Sequence, residues 1–249
     1  MTSVTDYALM SANVYGNSPD VRREQNTLPE PEGWTPLNDS TYKVNDTSTG
    51  FMARVYVNGS EVVISYCGTT DENYKDWYLG NIPAGIGTDA PQVLQAADLY
   101  MKVANDPQFA GKSISFTGHS LGGGLASLMA VWFDRPATVF DEAFFSKSAD
   151  SDFVLSVLKN HLTSQGYTLP NALATYQTDT SLSSYATNSW APSPTRLARQ
   201  AQVHNVSIKG EVLSVLSNIT LNNLGNIVGS IALALGLSLI HISEPTRPY

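Results

Sequence analysis

Two largely apolar, β-prone runs, Phe51 to Val57 and Glu61 to Tyr66, flank the dipeptide Asn58-Gly59. That pattern predicts an antiparallel hairpin, and Asn-Gly suits a type I′ turn, whose two central residues both need positive φ. Ahead of it, Ser3 with Asp6 three residues on forms a capping box, and Tyr7 to Val14 continues as a short helix that ends at Gly16. Asn17 to Thr49 is rich in Pro, Asn, Asp, Ser and Thr. It reads as a surface loop anchored by Trp34, with its glutamates facing solvent.

The pattern changes period after the hairpin. Asp89, Pro91 and Gln92 start a helix whose apolar positions are Val93, Leu94, Ala97, Tyr100, Met101 and Ala104. Ser113 to Thr117 is a β-prone run with Ile114 and Phe116 on one face, and Leu121 to Phe133 is apolar, free of proline and long enough for a helix. Ala137 to Phe140 predicts a further strand, Ser151 to Leu162 a helix, and Gln202 to Ile208 a late strand. Tyr167 to Pro194 is polar and proline-containing, too long for a plain connector, and reads as a lid or substrate-binding loop. Ile227 to Ile240 is uncharged and mostly apolar but shorter than the ~20 residues that cross a bilayer. A buried helix is expected there, with a helix lying on a membrane surface as the alternative.

Strands alternating with helices from Phe51 to Ile208 predict one α/β domain with a mostly parallel central sheet. The 249 residues, 42% of them hydrophobic, suffice for a full core. Charged residues make up 14% and the formal net charge is −8, so no basic stretch can neutralise phosphates and nucleic acid is excluded as a partner. The single cysteine, Cys67, rules out an internal disulfide. Met1 to Asp6 has neither the basic start nor the apolar core of a signal peptide, yet the low charge content suits a secreted enzyme. No metal or organic cofactor is expected.

Chemistry concentrates at Gly118-His119-Ser120-Leu121-Gly122, a G-x-S-x-G pentapeptide between a predicted strand and a predicted helix. In that context it reads as a nucleophile elbow, which lifts the Ser120 Oγ clear of the sheet at a helix N-terminus, where free N–H groups favour developing negative charge. A Cβ at Gly118 or Gly122 would clash in so tight a bend, and Gly123 and Gly124 leave the first helical turn bare for close approach of other backbone. The competing reading is a glycine-rich turn whose serine is chemically silent.

Tyr66-Cys67-Gly68-Thr69, Asp76-Trp77 and Gly118 to Ala126 together resemble the class 3 (fungal-type) lipases, in particular their bacterial lipase-like members. The resemblance runs from about Tyr7 to Leu216 and implies an α/β-hydrolase fold with a triad in the order Ser, acid, His. It implies that Thr69 and the Leu121 backbone N–H form the oxyanion hole, although Cys67 stands where the family usually has arginine. The segment Val206 to Ser214 resembles the one that carries the family's aspartate, which makes Glu211 the acid; Asp179, in a loop-like stretch, is its rival. A solvated surface carboxylate is the plain alternative for Glu211.

Four histidines are available. His119 lies inside the elbow and is expected to point away from Ser120. His161 closes an amphipathic helix, and His204 precedes the acid. Only His241 follows it, as the triad order requires. Leu237 to Pro248, however, resembles the in-frame translation of a sequencing-library adapter. Residues 1–236 are therefore expected to be a truncated hydrolase domain and 237–249 a non-native tail. The expected function is serine carboxylic-ester hydrolysis through an acyl-enzyme, on an acyl ester or lipid substrate and with transient contact at a lipid interface. The alternatives are a catalytically impaired lipid- or ester-binding protein of hydrolase architecture, and a phospholipase or thioesterase.

Overall fold

In a computed structural model, the described residues are 2–17, 28–68, 91–143, 145–176 and 193–207. The first helix, α1 (Val4–Asn13), has the capping box expected of Ser3 and Asp6: Ser3 Oγ accepts from the Asp6 N–H at 3.1 Å and the Asp6 carboxylate accepts from the Ser3 N–H at 2.9 Å. A 3₁₀ turn, Val14–Asn17, follows it. Two short strands, β1 (Thr35–Pro36) and β2 (Lys43–Asp46), lie inside the stretch expected to be loop. They form because β3 offers them an edge, which a local reading of a polar stretch does not reveal. Trp34 is buried there, as expected, beside Met10, Tyr56 and Val63.

The hairpin strands are β3 (Phe51–Asn58) and β4 (Glu61–Tyr66). Their register pairs Asn58 with Glu61, so Gly59 and Ser60 are the central residues of the turn. Only Gly59 has positive φ, at 52°. The expected type I′ turn on Asn58-Gly59 is thus replaced by a turn with glycine first, the residue order of type II′. Helix α2 (Pro91–Asn105) leads to β5 (Ser113–His119), α3 (Leu121–Phe133) and β6 (Ala137–Phe140). The chain continues through α4 (Ser146–Ala149), α5 (Asp152–Ser164), α6 (Asn171–Ala174), α7 (Pro194–Gln200) and β7 (Val203–Val206).

Among the described residues the seven strands form one sheet in the order β1-β3-β4-β5-β6-β7, with β2 also on β3. The strands from β4 to β7 run parallel, and β1, β2 and the hairpin partner β3 add antiparallel pairs at one edge. This is the α/β-hydrolase arrangement. Side-chain alternation then decides the two faces. Val62, Ile64 and Tyr66 of β4 and Ile114 and Phe116 of β5 join the main core with α2, α3 and α5. On the opposite face Val63 meets Met10 of α1, and the polar positions between are bonded to the same helix. Ser65 Oγ donates to the Met10 carbonyl at 3.0 Å, and Tyr7 Oη donates to Ser115 Oγ at 2.9 Å.

Helix α3 is buried along its whole length, which is why its sequence is apolar on every side. Its C-terminal carbonyls are capped from α7: the Arg199 guanidinium donates to the carbonyls of Val131 and Trp132 at 2.9 and 3.1 Å. The tail 237–249, the apolar run 227–240 and the central part of the expected lid, 177–192, lie outside the described residues.

Candidate active site

Ser120 sits between the last residue of β5 and the first of α3, with φ 56° and ψ −123°. A non-glycine residue held there carries local strain of about 1–3 kcal/mol, and such strain persists only where surrounding bonds over-determine it. They do so here. The Ser120 N–H donates to the Phe140 carbonyl at 3.0 Å, and its carbonyl accepts from Gly124 N–H at 3.0 Å and Ala143 N–H at 2.9 Å. The backbone is tied to β6 and to its own helix at once.

The side chain behaves differently from other serines in this chain. Ser3, Ser151 and Ser193 are N-caps whose hydroxyls accept from the backbone of their helices. Ser120 is also an N-cap, but its hydroxyl makes no cap bond. A serine at a helix start ordinarily satisfies an orphan N–H. At Ser120 no such bond forms, so the hydroxyl is not spent on capping the N-terminal amides of α3, Leu121 N–H among them.

Close approach explains the neighbouring glycines. A Cβ on Gly122 would stand 2.2 Å from the Tyr66 carbonyl oxygen and 2.7 Å from the Cys67 carbonyl carbon. A Cβ on Gly118 would stand 2.4 Å from the Gly122 backbone. The end of β4 is therefore pressed directly against the elbow, which brings the segment leading to Thr69 beside Ser120. Cys67 is buried with Val14 and Met52, and its N–H donates to the Met52 carbonyl at 2.9 Å.

Two residues without an assignment from sequence complete this region. Asp141 follows β6, is buried, has φ 42°, and donates its N–H to the Val206 carbonyl at 3.1 Å. Glu142 accepts from Ser127 Oγ of α3 and, at 3.2 Å, from Asn205 Nδ2 of β7. Loss of water around its carboxyl pushes its pKa up to about 7, and the Ser127 hydroxyl opposes that rise. The signal for both was faint: an Asp-Glu pair after a short strand looks like an ordinary polar turn.

The expected histidines divide clearly. His119 Nδ1 lies 3.2 Å from Tyr15 Oη, on the flank of the elbow. His161 Nε2 is 2.9 Å from an Asp98 carboxylate oxygen and fastens α5 to α2, a structural role. His204 is exposed on β7. Thr69, Asp179, Glu211 and His241 lie outside the described residues, so of the five expected site residues the structure describes Ser120 and Leu121. Among the described residues no cluster of three or more His, Cys, Asp or Glu side chains could hold a metal ion.

The profile of the Tle-like phospholipase domain, a phospholipase-like family, matches residues 6–242. The chain belongs to this family. The phospholipase-like chain is also 35% identical over 101 residues to an extracellular phospholipase A1 of Serratia liquefaciens, a match covering 40% of this chain and 30% of that relative. Its matched part therefore spans less than a third of the relative's length. Among solved structures, the lipase of Rhizopus microsporus var. chinensis is similar with a TM-score of 0.40 at 16% identity, covering 56% of each chain. The native Rhizomucor miehei lipase propeptide complex gives a TM-score of 0.38 at 19% identity, covering 62% of this chain and 57% of that one.

Proposed function

We propose that this protein is a serine carboxylic-ester hydrolase that cleaves lipid acyl esters, phospholipids foremost, through an acyl-enzyme. The observation that carries the reading is Ser120: a strained, positive-φ serine at a strand-to-helix turn whose hydroxyl leaves its own helix uncapped. Membership of the phospholipase-like family and the phospholipase A1 relative support the substrate class. In the proposed reaction Ser120 Oγ attacks the ester carbonyl while a histidine takes its proton. The Leu121 N–H, with Thr69, holds the oxyanion. Collapse expels the alcohol, which receives the proton, and water then releases the fatty acid by the same steps in reverse order of partners. His241 as base and Glu211 as the carboxylate that orients it complete the proposal, with Asp179 as the rival acid.

The phospholipase A1 relative is extracellular by description, and action outside the cell at a lipid surface is proposed on that ground. Among the described residues no helix is long and apolar enough to cross a membrane.

The experiment is Ser120→Ala, assayed on p-nitrophenyl acyl esters and on phospholipid, alongside fluorophosphonate labelling of the unchanged protein. A triad enzyme labels at Ser120, and the variant loses on the order of 10⁴ to 10⁶ in kcat. Hydrolysis that survives Ser120→Ala removes the serine mechanism. An unchanged protein that binds phospholipid but neither labels nor turns over is the impaired binding protein instead.

A further inference from the structure

One side chain far from the elbow in sequence holds its two sides together. Tyr15 lies in the 3₁₀ turn that follows α1. Its phenolic oxygen accepts from the Gly68 N–H at 3.1 Å and stands 3.2 Å from His119 Nδ1. Gly68 directly precedes Thr69, and His119 directly precedes Ser120. The phenol thus bridges the neighbours of both residues on which the proposed oxyanion hole and nucleophile depend.

Ladder bookkeeping explains why a side chain is needed there. The parallel pairing of β4 with β5 ends at Tyr66 and Gly118, and the Cys67 N–H is satisfied by the Met52 carbonyl. Gly68 is the next residue, beyond the pairing, and among the described residues the phenol is the partner of its N–H. Because an N–H only donates, the Tyr15 oxygen accepts from Gly68, and it keeps a proton and a second lone pair with which to meet His119 Nδ1 in either tautomer. Glycine at 68 is part of the fit: a Cβ there would lie 2.3 Å from Tyr15 Oη and 2.8 Å from the His119 carbonyl oxygen. The ring itself packs with Val14, Met52 and Cys67, so its position is fixed independently of the hydroxyl.

We infer that Tyr15 is a positioning residue of the hydrolase: its hydroxyl sets the distance between the end of β4 and the nucleophile elbow, and with it the spacing of the oxyanion donors. The inference rests on the ester-hydrolase reading above. Oxyanion donors act at 2.7–3.1 Å from the developing charge, and a misplacement of about 1 Å can cost on the order of 10² in rate. Ground-state substrate makes far less of those donors, so the effect falls on kcat and not on KM.

Tyr15→Phe removes the hydroxyl and keeps the ring. Rates are taken per active site, counted by fluorophosphonate titration, so that misfolded protein does not enter the result. The expected outcome is a fall in kcat of about 10- to 100-fold, KM within twofold, and an equal loss of affinity for an alkyl boronic acid, which mimics the tetrahedral adduct. A second variant, His119→Asn, keeps a hydrogen-bonding amide atom at the place of Nδ1 and is expected to keep kcat within about threefold, whereas His119→Phe behaves like Tyr15→Phe. Unchanged kcat per titrated site in Tyr15→Phe, or a rise in KM alone, overturns the inference and leaves Tyr15 a packing residue. Failure of the unchanged protein to label or turn over refutes the hydrolase reading itself, and the two failures are thereby told apart.

Discussion

The two halves of the sheet are built to different tolerances. In the antiparallel half, β1, β2 and β3 meet at an edge, the turn glycine Gly59 has nothing within 4 Å of where a Cβ would stand, and the C-terminal end of β3 is partly exposed. In the parallel half, β5 is buried along its interior, α3 is buried throughout, and backbone comes within 2.2 Å of the missing Cβ at Gly122. The difference teaches where function resides. The edge half has room to vary because only its packing matters, while the elbow half holds a strained serine and can give nowhere without moving it.

Gly122→Ala is the sharpest way to break that contrast. The added methyl collides with the Tyr66 carbonyl and the Cys67 backbone, neither of which can rotate away. A destabilisation of about 3 kcal/mol, the upper end for overpacking, is expected. It should appear as a drop in Tm of about 6–12 °C for a chain of this size, with esterase activity down at least about 10²-fold. Thermal melts and ester kinetics check it; near-native activity would show that the elbow has slack.

Glu142 tests the parallel half through pH. Its carboxyl titrates near 7 in the folded protein, above its ordinary 4.5, chiefly because burial disfavours the charge. A raised carboxyl pKa means that the folded state binds the proton more tightly than the unfolded one. The stability it contributes is therefore complete below about 4.5 and is lost as pH rises through 7. Glu142→Gln keeps an uncharged side chain between Ser127 and Asn205, and should flatten this dependence. The loss between pH 5 and 8 that the variant is spared is about 1–2 kcal/mol, below the unscreened figure because the residue keeps some contact with water. Denaturant midpoints at the two pH values measure it, and identical pH dependence in both proteins contradicts the assignment.

Gly59→Ala is the mild counterpart in the antiparallel half. No atom obstructs the methyl, so only the positive φ resists it, at a cost of about 1 kcal/mol. Tm should fall about 2–4 °C while ester turnover stays unchanged. A loss of activity here would mean that the hairpin turn communicates with the elbow, and the contrast between the halves would weaken.

What was legible along the chain is what depends on near neighbours. Continuous apolar runs marked the hairpin, α3 and β6, which are largely buried, and helical spacing of apolar residues marked α5, which buries one face. Ser3 and Asp6 announced their capping box, and the glycines around Ser120 announced a turn too tight for a Cβ. The family and the serine follow from that local pentapeptide and the strand and helix around it.

Other features exist only once distant segments meet. Strands β1 and β2 form because the edge of β3 is available, and the turn at Gly59 takes its type from the register of β3 on β4, which Asn-Gly alone misassigns. Tyr15 becomes a bridge because the turn after α1 reaches both the end of β4 and the elbow, 53 residues from Gly68 and 104 from His119 in sequence. Glu142 becomes a carboxyl with a raised pKa because α3 and β7 close around it. Desolvation and hydrogen-bond convergence are properties of a volume filled by several segments, and the sequence of any one segment carries no record of the others.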